Sequence, residues 1–132
     1  MRIRLATIFV DDQDKAREFY SEKLGLRVTT DESYGDERWL TVAADDGGAE
    51  LLLAHARDAA KAFQVATYQA GKPALSLASD DCAAEAEALT SRGVPFTLEP
   101  TVMPYGGVDA VFEDGCGNLV NLHQKPPAPG ER

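Results

Sequence analysis

The stretch "FVDDQDKAREFYSEKLGL", residues 9–26, reads as the end of a strand, an aspartate cap, a helix and a glycine stop. Asp11 or Asp12 can cap the helix, because a short carboxylate accepts from the free N–H groups of a first helical turn. Ala16, Phe19, Tyr20 and Leu24 recur at helical spacing, and Gly25 suits the left-handed conformation that ends a helix. The stretch "LASDDCAAEAEALTSRGV", residues 77–94, has the same plan, with its aspartates at 80–81 and its stop at Gly93. The two aspartate pairs and the two glycines keep nearly the same separation along the chain, which marks a repeat.

Each copy begins with a strand, "IRLATIFV" at 3–10 and "PALSLA" at 73–78. Each helix is followed by three β-like segments. In the first half these are "LRVTT" (26–30), "RWLTVAA" (38–44) and "AELLLA" (49–54); in the second, "VPFTL" (94–98), "VDAVFE" (108–113) and "NLVNLH" (118–123). The last strand of each half follows a glycine turn, "DDGG" at 45–48 and "DGCGN" at 114–118. The order β-α-β-β-β therefore occurs twice, and the fold class is α+β. Module one covers 3–56, a linker helix 58–70, and module two 73–124, within a single domain over 1–124. The proline-rich residues 125–132 read as a flexible tail.

Composition narrows the function. Apolar content is 44% and charged content 27%, ordinary for a globular chain of 132 residues. Acids outnumber bases 22 to 13, for a net charge of −9, which argues against nucleic-acid binding. That balance suits a cationic small molecule, or simply solubility. No apolar run has the roughly 18–20 residues of a membrane span. The opening "MRIRLATIFVDD" is not a signal peptide, so a cytoplasmic location is expected. Cys82 and Cys116 are too few for a disulfide framework and too far from His55 and His123 in sequence to form a compact metal motif.

On "FVDDQDKAREFYSEKLGL", "ERWLTV", "ELLLA" and "DGCGNLVNLHQ" the chain resembles the vicinal oxygen chelate superfamily over roughly residues 3–124. That superfamily includes glyoxalase I, fosfomycin-resistance enzymes, extradiol dioxygenases and bleomycin-resistance proteins. The resemblance implies two modules whose curved mixed sheets enclose a cleft, paired in a homodimer. It also implies ligand positions for a metal on the first and last strands of each module. Carried onto this chain, those positions are Leu5, Leu51, Ala74 and Asn121. Leucine and alanine have no donor atom, and neutral asparagine is a poor replacement for glutamate on a divalent ion. The expectation is that the metal centre is absent and that no cofactor is used.

Strand alternation supplies the neighbours in such a cleft. Thr7 and Phe9 join Leu5, Ser76 and Ala78 join Ala74, Leu53 joins Leu51, and Leu119 and His123 join Asn121, while Glu50 turns outward. Ile8, Val10, Leu75, Leu77, Val120 and Leu122 face the helices. The ligand-binding candidates are thus Thr7, Phe9, Ser76, Asn121 and His123, with Trp39 and Tyr105 as flat stacking surfaces from strand ends or loops. Each has a purely structural alternative: local hydrogen bonding for Thr7, Ser76 and Asn121, packing for Trp39, and solvent exposure for Tyr105 and His123.

Three functions compete. The first is a metal-independent module that sequesters a small molecule, an antibiotic or metabolite. The second is a lyase or isomerase without metal, with His123 as general acid or base. The third is a metal-dependent glyoxalase- or dioxygenase-type enzyme, which requires a different register on several strands at once.

Overall fold

The computed structural model describes residues 1–129; the end of the expected tail, 130–132, lies outside the described residues. The first strand, β1 (Leu5–Val10), runs into α1 (Gln13–Glu18), whose cap is Asp12: its Oδ1 accepts from the Lys15 N–H at 3.0 Å. The helix then widens into a π turn over Phe19–Lys23 and stops at Gly25, which has φ 76°. β2 (Arg27–Tyr34), β3 (Glu37–Ala43) and β4 (Glu50–His55) complete the first half. After α2 (Ala59–Gln69) the pattern repeats with β5 (Leu75–Ala78), α3 (Cys82–Ser91), β6 (Phe96–Val102), β7 (Val108–Glu113) and β8 (Leu119–Gln124). Asp81 caps α3 through the Ala84 N–H at 3.0 Å, and Gly93 ends it at φ 88°. Asp12 and Asp81 are thus the equivalent caps of the repeat. The other aspartate of the first pair, Asp11, forms an ion pair with Lys61 instead.

Each half makes its own four-stranded sheet, in the orders β1-β4-β3-β2 and β5-β8-β7-β6. The outer pairs β1/β4 and β5/β8 are parallel and the others antiparallel, so both sheets are mixed. The two tandem βαβββ modules expected from the repeat are present.

One face of each sheet packs on helices. In the first, Ile8, Val10, Leu40, Val42 and Leu53 bury against Ala16 and Tyr20; in the second, Ala110, Phe112, Val120 and Leu122 bury against Cys82, Ala86 and Leu89. Phe19, Leu24 and Leu75 pack against both clusters, so the two cores join.

The phase of β4 corrects one sequence expectation. Leu53 is fully buried in the first core and Leu51 packs on it, so neither faces the cleft. The parallel ladder sets this phase: Ile8 lies beside Leu53, and Thr7 beside Leu52. Glu50 lies beside Leu5 and shares its face rather than turning away. The residues expected to face the helices, Ile8, Val10, Leu75, Leu77, Val120 and Leu122, do pack in the cores.

Candidate functional site

The free face of the second sheet carries a connected polar cluster. β5 and β8 place Ser76 beside Asn121 and Ala78 beside His123; β8 and β7 place His123 beside Asp109 and Asn121 beside Val111. These positions alternate with the core-packed Leu75, Leu77, Ala110, Phe112, Val120 and Leu122, so the polar set lies on the opposite face. Ser76 Oγ hydrogen-bonds to Asn121 Oδ1 at 2.5 Å. Asn121 Nδ2 donates to Asp109 Oδ1 at 3.1 Å and to the Ala110 carbonyl at 3.3 Å. His123 Nδ1 lies 2.9 Å from Asp109 Oδ1. The β6–β7 loop folds back so that the Tyr105 hydroxyl donates to Asp109 Oδ2, and its ring lies beside that of His123, centroids 6.1 Å apart and planes 25° apart.

Asp109 is the hub. Burial pushes its carboxyl up, but hydrogen bonds from Tyr105, His123 and Asn121 outweigh that and hold it below the usual carboxylate range. The hydrogen bond to Asp109 in turn raises the Tyr105 phenol. The His123 side chain is 34% exposed and that of Asp109 only 16%, so the imidazole is the more accessible partner of the pair.

A second place lies at the seam between the sheets. A hollow of about 240 Å³ is lined by Thr7, Phe9 and Ala74 together with Phe63, Gln64 and Thr67 of α2. Phe63 meets Phe9 edge to face at 6.3 Å, and Gln64 Nε2 donates to the carbonyls of Phe9 and Cys116. It is smaller than the roughly 300–1,000 Å³ of sites that engulf a drug-sized ligand, and the polar cluster lies outside it. Trp39, on β3, lies apart from both, 40% exposed and opposite Glu32 of β2.

The structure therefore joins Ser76, Tyr105, Asn121 and His123, joins Thr7 to Phe9, and leaves Trp39 separate. Sequence reading missed Asp109, the centre of the cluster, and Phe63 and Gln64 at the seam. The first was findable, since "VDAVFE" puts Asp109 and Val111 on one face, opposite Ala110 and Phe112. The two cysteines are buried and free; burial pushes Cys116 up to about 12, with Asp114 adding to it, and raises Cys82 as well. Neither is a nucleophile in this state.

The residues at the metal positions of the resemblance do not fit an ion. With β4 rephased, the side chains on the free faces are Leu5, Glu50, Leu52, Ala74 and Asn121. Glu50 is the one carboxylate in that set, and Asn121 has its oxygen engaged by Ser76 and its nitrogen by Asp109 and Ala110. Among the described residues, no three His, Cys, Asp or Glu side chains gather as a metal-holding group.

The sequence model of the Glyoxalase/Bleomycin resistance protein/Dioxygenase superfamily matches residues 2–122. The chain belongs to this superfamily. Among its relatives is the uncharacterized protein YurT of Bacillus subtilis strain 168, 43% identical over 95% of this chain and all of the relative. Among solved structures, UcmS2 is 35% identical with a TM-score of 0.81, covering 93% of this chain and 97% of that one. TnmS3, an antibiotic binding protein from Streptomyces sp. CB03234, is 30% identical with a TM-score of 0.76, covering 96% and 97%. The two solved structures share this chain's fold over nearly its whole length.

Proposed function

We propose that this chain is a metal-independent small-molecule-binding protein of the glyoxalase/bleomycin resistance type, which sequesters an antibiotic or a metabolite. The observation that carries the reading is the likeness to TnmS3 over 96% of this chain. The donor set supports it, because leucine, alanine and an already engaged asparagine leave a lone glutamate where an ion would need several oxygen or nitrogen ligands. Ligand contacts are assigned to Ser76, Tyr105, Asn121 and His123 in the polar cluster, to Thr7 and Phe9 at the seam, and to Trp39 apart from both. The working unit is residues 1–124, with module one at 3–56, the linker helix at 58–70 and module two at 73–124. It acts in the cytoplasm as a homodimer. No cofactor, nucleic acid or membrane takes part.

The pairing of His123 with Asp109 favours one alternative, a lyase or isomerase without metal. There Asp109 orients the imidazole and His123 moves the proton.

Native mass spectrometry of the full chain purified from its source cell, with metal analysis of the same sample, tests both readings. Sequestration expects an organic molecule retained unchanged and metal well below one ion per chain. Stoichiometric zinc, nickel, manganese or iron overturns the metal-independent reading. Conversion of the retained molecule, abolished in His123→Ala with affinity kept, establishes the enzyme instead.

A further inference from the structure

The polar hydrogens of the cluster on the second sheet are taken up within the sheet, and Asp109 accepts more of them than any other group. Ser76 Oγ gives its hydrogen to Asn121 Oδ1. Asn121 Nδ2 has two hydrogens and two acceptors, Asp109 Oδ1 and the Ala110 carbonyl. The Tyr105 hydroxyl gives its one hydrogen to Asp109 Oδ2. An ionised carboxylate accepts and never donates, so His123 Nδ1, 2.9 Å from Asp109 Oδ1, carries the ring hydrogen. In the neutral imidazole the other nitrogen, Nε2, is then a bare lone pair. It has no hydrogen-bond partner among the described residues. What the cluster turns outward is therefore acceptor in character, His123 Nε2 and a remaining lone pair of Ser76, while the Tyr105 oxygen also lies 3.3 Å from His123 Nδ1 and shares its hydrogen. A ligand hydroxyl finds a partner there, whereas a ligand ether or carbonyl sets acceptor against acceptor and leaves both unpaired.

We infer that this face selects its ligand by a hydroxyl group, which His123 Nε2 accepts, and that Asp109 is the positioning residue that fixes the imidazole tautomer. The inference rests on the small-molecule reading above and names the ligand class. The Tyr105 ring, 53% exposed beside the imidazole, adds a flat apolar surface, so an aromatic alcohol meets both demands. A neutral hydroxyl also reaches the lone pair without the desolvation cost of an ammonium.

Two measurements on the full-length protein test this. The ¹⁵N shifts of His123 in the free protein, at a pH where those shifts show a neutral ring, are expected to report hydrogen on Nδ1 and none on Nε2. Titrations with 2-naphthol and 2-methoxynaphthalene are expected to show the alcohol binding about tenfold more tightly, a difference of about 1.4 kcal/mol. His123→Phe keeps a flat ring without the acceptor and is expected to bring the two probes within about twofold. Asp109→Asn is expected to mix the tautomers in the ¹⁵N spectrum and shrink the preference in step. Hydrogen on Nε2 in the free protein, equal binding of the two probes, binding of neither, or a preference that survives His123→Phe overturns the inference. A retained native ligand that lacks any hydroxyl overturns it while leaving sequestration intact. Loss of sequestration itself would show instead as a protein that retains nothing from its source cell.

Discussion

At the scale of single residues, two aspartates show how far surroundings decide a side chain's role. Asp114 is buried and accepts from the Tyr20 hydroxyl at 2.7 Å, the Cys116 N–H at 2.7 Å, the Asn118 N–H at 3.0 Å and the Asn118 Nδ2 at 2.9 Å. Removing the carboxylate leaves these buried donors without partners, each costing about 1–3 kcal/mol less whatever water recovers. Asp114→Ala is therefore expected to lower stability by roughly 3–5 kcal/mol, read as a fall in the urea midpoint. Asp31 is a surface counterpart. Arg38 donates to it from Nε at 2.8 Å and Nη2 at 2.9 Å, and Arg17 joins them. The Arg38 hydrogen bonds, with help from Arg17, hold the Asp31 carboxyl at about 2. A folded-state pKa below the unfolded one means that the unfolded chain binds more protons, so stability rises with pH. The contribution is complete above the usual carboxylate range and is lost as pH falls from about 4 to about 2. Asp31→Asn is expected to be less stable at neutral pH and to show a flatter decline over that window, followed by thermal melts between pH 2 and 6 (roughly the carboxylate range).

At the scale of elements, the turn "DGCGN" is a joint rather than a simple hairpin. The Cys116 carbonyl accepts from the Asp11 N–H at 3.0 Å and from Gln64 Nε2 at 2.9 Å, and Asn118 Nδ2 donates to the Phe9 carbonyl at 2.7 Å. One turn of module two thus holds the end of β1 and the linker helix. Gly117 has φ 95°, and an added Cβ would stand 2.8 Å from both Asp11 Oδ2 and Gln64 Nε2. Gly117→Ala combines backbone strain with that crowding and is expected to cost roughly 2–3 kcal/mol. Its measurable mark is faster hydrogen exchange at the Asp11 amide than at amides in the middle of β7. The β4 strand makes a different point. Three successive leucines, 51–53, carry no period-2 signal, so only the pairing with β1 sets which of them faces the core.

At the scale of the whole molecule, the shared contacts of Phe19, Leu24 and Leu75 make the two modules one cooperative body. Leu75→Ala is expected to lower stability by about 2–4 kcal/mol. Calorimetry should show a single transition shifted as a unit, with equal calorimetric and van't Hoff enthalpies. Two separate transitions would mean that the modules melt independently.

The sequence by itself determined the repeat, and through it the topology. Aspartate caps, glycine stops and helical spacing are local chemistry, set by neighbours a few residues away, and Asp12, Asp81, Gly25 and Gly93 do what their positions imply. The strand phases of β1, β5 and β8 were readable for the same reason, since apolar and polar residues alternate there. Tertiary structure alone decided the phase of β4, the meeting of Asp109 and Tyr105 on His123, and the closing of the seam by Phe63 and Gln64. The geometry of those contacts follows from ladder register and loop path rather than from the identity of immediate neighbours, and no local pattern encodes it.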